Sequence, residues 1–175
     1  MTRKTVGQCL TSEIIEKAYK WRTDDVFRGE CRWTDGISGC DALFIAIDDD
    51  CGIKFFHTEK VAKMSYWMCR ILRHFDYTAG VWDLRMVSHK GEHIWCFMME
   101  RCSVMSKVAE THGNRRRERL YEKSVKHLNN KLESRSNLFD ADSHFGNFGI
   151  TKSGRVRCID VGHISYQCAG MLKYA

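Results

Sequence analysis

Asp142-Ser-His-Phe-Gly-Asn147 and, a little further on, Ile159-Asp-Val-Gly162 decide how this chain is read. Between them lie two short β-prone stretches, Asn147–Ile150 and Val156–Ile159, around the turn residues Ser153-Gly154, which predicts a hairpin. Asp142, Asn147 and Asp160 carry side-chain oxygens near the ends of those strands. A hard cation such as Mg²⁺ takes a few such oxygens together with substrate phosphates. A carboxylate can also orient a hydroxyl and receive its proton. Gly146, Gly149 and Gly162 allow the backbone to turn around such a site. On composition alone, an ordinary hairpin with polar loops stays open as the alternative.

Working outward, residues 114–134 read as the clearest helix. Leu120, Val125, Leu128 and Leu132 form its apolar stripe, and Arg115, Arg116, Arg117, Arg119, Lys123 and Lys126 decorate the remainder. Residues 12–22 predict a first helix, with Ser12 as cap, early Glu13 and Glu16, and late Lys17, Lys20 and Arg22. Residues 31–57 read as strands. Within them Asp35-Gly-Ile-Ser-Gly39 and Asp48-Asp-Asp-Cys-Gly52 are turns, and Ala42–Ile47 and Ile53–Phe56 are strands. Val61, Met64, Met68, Ile71 and Leu72 recur at helical spacing over 58–75. Two more strands are expected near Gly80–Val87 and His93–Met99, parted by Ser88-His-Lys-Gly91. The order of elements makes an α+β protein, in one domain of 175 residues.

The spacing Asp142-x-His144-x-x-Asn147 resembles the catalytic loop of the protein-kinase-like superfamily. Its histidine is similar to that of aminoglycoside and choline kinases and some atypical protein kinases. Asp160-Val-Gly162, with its Asp 18 residues after Asp142, resembles the superfamily's Asp-x-Gly metal motif. The resemblance implies a two-lobe fold. A small antiparallel N-lobe sheet with a leading helix would occupy about 1–100, and a strongly reduced helical C-lobe about 103–175. It implies ATP and Mg²⁺ as cofactors, Asp142 as catalytic base with His144 beside it in the loop, and Asn147 and Asp160 as metal ligands. Gly52-Ile-Lys54-Phe-Phe56 looks like the strand whose lysine steadies nucleotide phosphates. Gly36, Ser38 and Gly39 sit where a glycine-rich nucleotide loop is expected, without the full Gly-x-Gly-x-x-Gly pattern. Phe97-Met-Met-Glu-Arg-Cys102 looks like a hinge, with Met99 as gatekeeper and backbone groups around Glu100–Cys102 toward adenine. The Cys69-Arg70 pair and the Asp-x-His-x-Gly-Asn loop are also similar to the small early serine/threonine kinases of T7-type phages, which would make host proteins the substrates.

Three departures shape the expectation. No Glu lies between Lys60 and Gly91 to pair with Lys54; Glu59 comes five residues after the lysine, and Asp76 is the candidate replacement. Ala141 stands where many kinases have Arg, and Val161 replaces the usual Phe. Gly162 lies 13 residues from Ala175, too few for an ordinary substrate platform, so substrate is expected on other surfaces or on a second copy in a dimer. A catalytically inactive kinase-derived binding or inhibitor protein is therefore the alternative, and a small-molecule kinase the third reading.

The chain has 28 Lys and Arg against 22 Asp and Glu, a formal net charge of +6. That excess suits nucleic acid, acidic proteins or a phosphate-rich ligand without selecting among them; a basic helix with no recognised DNA-binding motif makes nucleic acid the lesser partner. Nine cysteines without a Cys-x-x-Cys pair read as free thiols of a reducing compartment, with a metal site built from distant cysteines and some of the eight histidines as the open alternative. No apolar run approaches membrane-spanning length, and no apolar signal core follows Met1-Thr-Arg-Lys-Thr. A cytoplasmic protein without a membrane partner is the expectation.

Overall fold

The computed structural model describes residues 3–34, 42–74, 76–104, 119, 122–128, 130 and 145–160. The chain is α+β and divides into two compact units. The first is Met1–Tyr66 with Gly80–Arg101, and the second is Trp67–Ala79 with Cys102–Ala175.

The first unit is built on a four-stranded antiparallel sheet. Its strands are β1 (Ala42–Ala46), β2 (Cys51–Phe56), β3 (Val81–His89) and β4 (Glu92–Glu100), in the order β1-β2-β4-β3. Asp48 makes the β1–β2 turn by accepting the amides of Asp50 and Cys51 on Oδ1 at 2.8 and 2.9 Å. Lys90 and Gly91, both at positive φ (49° and 82°), make the two-residue turn between β3 and β4 that suits strand twist. Every residue of β2 is buried, because this inner strand is covered on both sides. Cys51, Ile53 and Phe55 join Ile94, Cys96 and Met98 of β4 in one core, with Val6, Cys9, Ile15, Ala18, Trp21 and Cys31 over them. On the opposite side Phe56 and Phe97 meet at 5.0 Å, and Tyr66 meets Phe97 at 5.6 Å between ring centroids.

The helices of this unit are α1 (Val6–Cys9), α2 (Ser12–Thr23), α3 (Asp25–Thr34) and the start of α4 (Glu59–Arg73), which continues into the second unit. The cap of α2 is Thr11 rather than Ser12: its hydroxyl accepts the Ile14 amide. Residues 31–34 are the end of α3, not strand. Asp24 accepts the Phe27 amide at 3.0 Å and starts a new helix directly after α2. The amphipathic stretch that follows buries Cys31 in the core. The single turn α1 is too short for periodicity to reveal; Gln8 Oε1 accepts the Thr5 amide, and Asp83, at a bulge in β3, accepts the Val6 amide.

The second unit holds the end of α4, helical residues 122–128, a 3₁₀ turn at Phe145–Asn147 and a three-stranded antiparallel sheet. Its strands are β5 (Cys102–Val104), β6 (Phe148–Thr151) and β7 (Val156–Cys158), in the order β5-β6-β7. Leu72, Tyr77, Val125, Leu128, Phe148 and Cys158 form its core, so the stripe expected on the basic helix is buried where it is described. The hairpin expected at 147–159 is present as β6 and β7, with Gly154 at φ 79° in its turn.

Candidate functional site

Asn147 ends the 3₁₀ turn and Asp160 follows β7. The carbonyl of Asn147 accepts the Ile159 amide at 2.8 Å and the Asp160 amide at 3.4 Å. The two residues thus lie against one another although 13 positions separate them. Their side-chain oxygens start from neighbouring points of backbone. Asn147 is buried and Asp160 half-buried. The Cys158 thiol donates to the Asp160 carbonyl at 3.0 Å, which holds the residue from its other side. Gly149 lets β6 lie this close to its neighbours: a Cβ there would stand 2.6 Å from the Cβ of Cys102 and 3.1 Å from Cγ2 of Ile159.

β7 is in turn tied to the segment after α4. Cys158 donates its amide to the Tyr77 carbonyl at 2.9 Å and accepts the Ala79 amide at 3.1 Å. Asp76, at φ 61°, receives Arg157 at 2.6 Å and Arg155 at 3.4 Å. The Arg157 side chain is 7% exposed, so its charge is held inside the unit by that carboxylate. This answers the proposal that Asp76 replaces the missing helical glutamate. Its carboxylate is taken by two arginines of its own unit. Glu59, at the exposed start of α4, pairs with Lys63 at 2.5 Å.

Lys54 lies in β2 of the first unit, opposite Phe44 and Phe97, and is 6% exposed. Its ammonium stands 5.6 Å from the centroid of Phe56. An exposed edge lysine would sit at the sheet's rim; this one sits in an inner strand. Gly52, two residues before, could not carry a side chain, since a Cβ would meet Phe44 at 2.4 Å and the Ile45 carbonyl at 2.5 Å.

The expected hinge is only partly available. Glu100 donates its amide to the Gly80 carbonyl at 2.7 Å and accepts the Gly80 amide on Oε2 at 2.9 Å. Arg101 donates to the Asp50 carbonyl at 3.0 Å. Those two amides are spent on closing β4 against its neighbours and cannot read a base. Cys102, the last residue of the expected hinge, opens β5, opposite Thr151.

Asp142 and His144, and Gly36, Ser38 and Gly39 of the expected glycine loop, lie outside the described residues, as do Val161 and Gly162. Among the described residues no group of three or more His, Cys, Asp and Glu could hold a metal ion. Asn147 and Asp160 offer one amide and one carboxylate oxygen, and phosphate oxygens and water would have to supply the rest of a Mg²⁺ shell. The seven described cysteines are free thiols. No described helix is long and apolar enough to cross a membrane.

The pairing of Asp76 with Arg157 escaped the sequence reading. The signal for it was faint: in Arg155-Val-Arg157-Cys158 strand alternation puts both arginines on one face, and an arginine buried there requires an acid.

No model of a known protein family matches the chain, and no curated protein matches its sequence.

Proposed function

We propose that the chain is an ATP- and Mg²⁺-dependent phosphotransferase of reduced kinase-like form, acting on serine or threonine of a partner protein. The observation that carries this reading is the hydrogen bonding of the Asn147 carbonyl to the amides of Ile159 and Asp160. It unites the two residues that the motif spacing singled out as metal ligands. The lysine strand supports the reading as well: Lys54 is held in an inner strand, directly beside the strand that leads to the expected hinge.

In this reading Asn147 and Asp160 hold the metal, and Lys54 steadies phosphate as a point charge. Asp142 orients the acceptor hydroxyl and takes its proton. Bound Mg²⁺ supplies charge neutralisation at the phosphates, so the protein's work is mainly positioning.

One observation favours a second reading, a kinase-derived binding protein without catalysis. Glu59 of α4 is engaged with Lys63, and Asp76 with Arg157 and Arg155. The test is transfer of labelled γ-phosphate from Mg·ATP to this chain or to lysate proteins, comparing the wild type with Asp142→Asn, Asp160→Asn and Lys54→Met. Transfer lost in all three variants supports the kinase. No transfer from folded wild-type protein refutes it and leaves the binding protein.

A further inference from the structure

The segment between α4 and β3 is joined to β7 more heavily than a connecting loop needs. Thr78 forms a parallel bridge with Cys158, and Tyr77 and Ala79 hydrogen-bond to the same cysteine. The Thr78 hydroxyl donates to the Cys69 carbonyl at 2.8 Å, and Arg73 donates to the Thr78 carbonyl at 3.3 Å. Thr78 is fully buried. At the outer end of this seam Asp76 takes the inward arginine of β7. Two residues beyond Cys158, the chain reaches Asp160.

From this geometry we infer that Asp76 and Arg157 are positioning residues, a clamp that sets β7 so that Asp160 lies against Asn147 in a metal-competent arrangement. The inference rests on the reading of Asn147 and Asp160 as metal ligands. Neither member of the clamp touches the metal; both act through three residues of backbone. Arg157 cannot do this alone. Its Nε has no hydrogen-bond partner among the described residues, and one of its terminal nitrogens reaches only the adjacent Val156 carbonyl at 3.1 Å. The Asp76 carboxylate is what fixes the direction of the side chain. Groups that orient a metal site from outside its ligand shell alter metal affinity about 10- to 100-fold when removed.

Asp76→Asn alone leaves a buried arginine without its anion and is expected to lower stability, so the decisive variant is the double change Asp76→Asn with Arg157→Met. It removes both charges while retaining an unbranched apolar stem. The change that the protein makes in the electron paramagnetic resonance of Mn²⁺·ATP, titrated against Mn²⁺·ATP alone, reads the site without turnover. Amide exchange at Ile159 and Asp160, in protein free of metal and nucleotide, reads the backbone. Expected are an apparent Mn²⁺ affinity weakened about tenfold or more, faster exchange at both amides, and recovery of both by Asp76→Glu in place of Asp76→Asn with Arg157 intact. Equal Mn²⁺ affinity, or unchanged exchange, in a folded double variant overturns the clamp. A Mn²⁺·ATP spectrum that the wild type leaves unchanged overturns the metal-site reading itself, and the clamp's role with it.

Discussion

Replacing Gly149 by alanine tests the packing that brings Asn147 and Asp160 together. The new methyl would stand 2.6 Å from the Cβ of Cys102, 3.1 Å from Cγ2 of Ile159 and 3.3 Å from the Ser103 carbonyl oxygen. The first distance is about 0.8 Å short of ordinary carbon contact, taken as 3.4 Å. Cys102 cannot yield by changing rotamer, because the atom concerned is its Cβ. The Ser103 oxygen is backbone. β5 must therefore move off β6, or β6 must twist. Overpacking of this kind costs roughly 1–3 kcal/mol, and the restricted unfolded state of alanine returns about 0.4–1 kcal/mol. A net loss near 1.5 kcal/mol, about tenfold in the folding equilibrium, is expected. Urea unfolding followed by far-ultraviolet circular dichroism and tryptophan fluorescence measures it. Introducing Cys102→Gly removes the closest contact, so a double-mutant cycle should show favourable coupling of at least about 0.5 kcal/mol. A Gly149→Ala protein as stable as the wild type, or a cycle without coupling, would refute the argument.

The opposite sign is expected at Gly29 in α3, where a Cβ would meet nothing within 4 Å. Gly29→Ala should raise stability by about 0.5–1 kcal/mol in the same urea titration. Glu16 is held down to a pKa of about 2 by its hydrogen bonds to Lys90 and His89. Because the folded value lies below the usual 4.5, its contribution to stability is present above about pH 4.5 and lost as pH falls toward 2. Glu16→Gln should therefore reduce the acid sensitivity of unfolding in that window, as seen in midpoints measured at intervals of pH. Burial pushes the Cys96 thiol up to about 12 and the Cys51 thiol up to about 11. At pH 8 the native protein should be labelled by a disulfide reagent at half-buried Cys102 well before either of them, as peptide mapping would show.

Much of the scaffold could be read from local signals because its causes are local. Asp48 makes a turn with amides two and three residues away. Lys90-Gly91 suits a two-residue hairpin, and the apolar spacing of α4 and of residues 122–128 follows one helical face. The backbone closeness of Asn147 and Asp160 was legible for a related reason: a hairpin of known length returns its ends to each other. The two shorter helices around α2 and the strand β5 were harder. Four residues carry no period, Asp24 serves as both the end of one helix and the cap of the next, and β5 has three residues that pair with a strand far along the chain.

The sequence by itself determined most of the longer elements, the turns between them, and the hairpin whose backbone brings Asn147 close to Asp160. Only the tertiary structure decided that Lys54 is buried in an inner strand, that the amides of Glu100 and Arg101 close a sheet rather than await a base, and that Asp76 belongs to Arg157, 81 positions away. The physical reason is the same in each case. A charge or amide takes its partner from whatever packing brings within hydrogen-bonding distance, and burial makes that pairing compulsory. Distance along the chain carries no record of it.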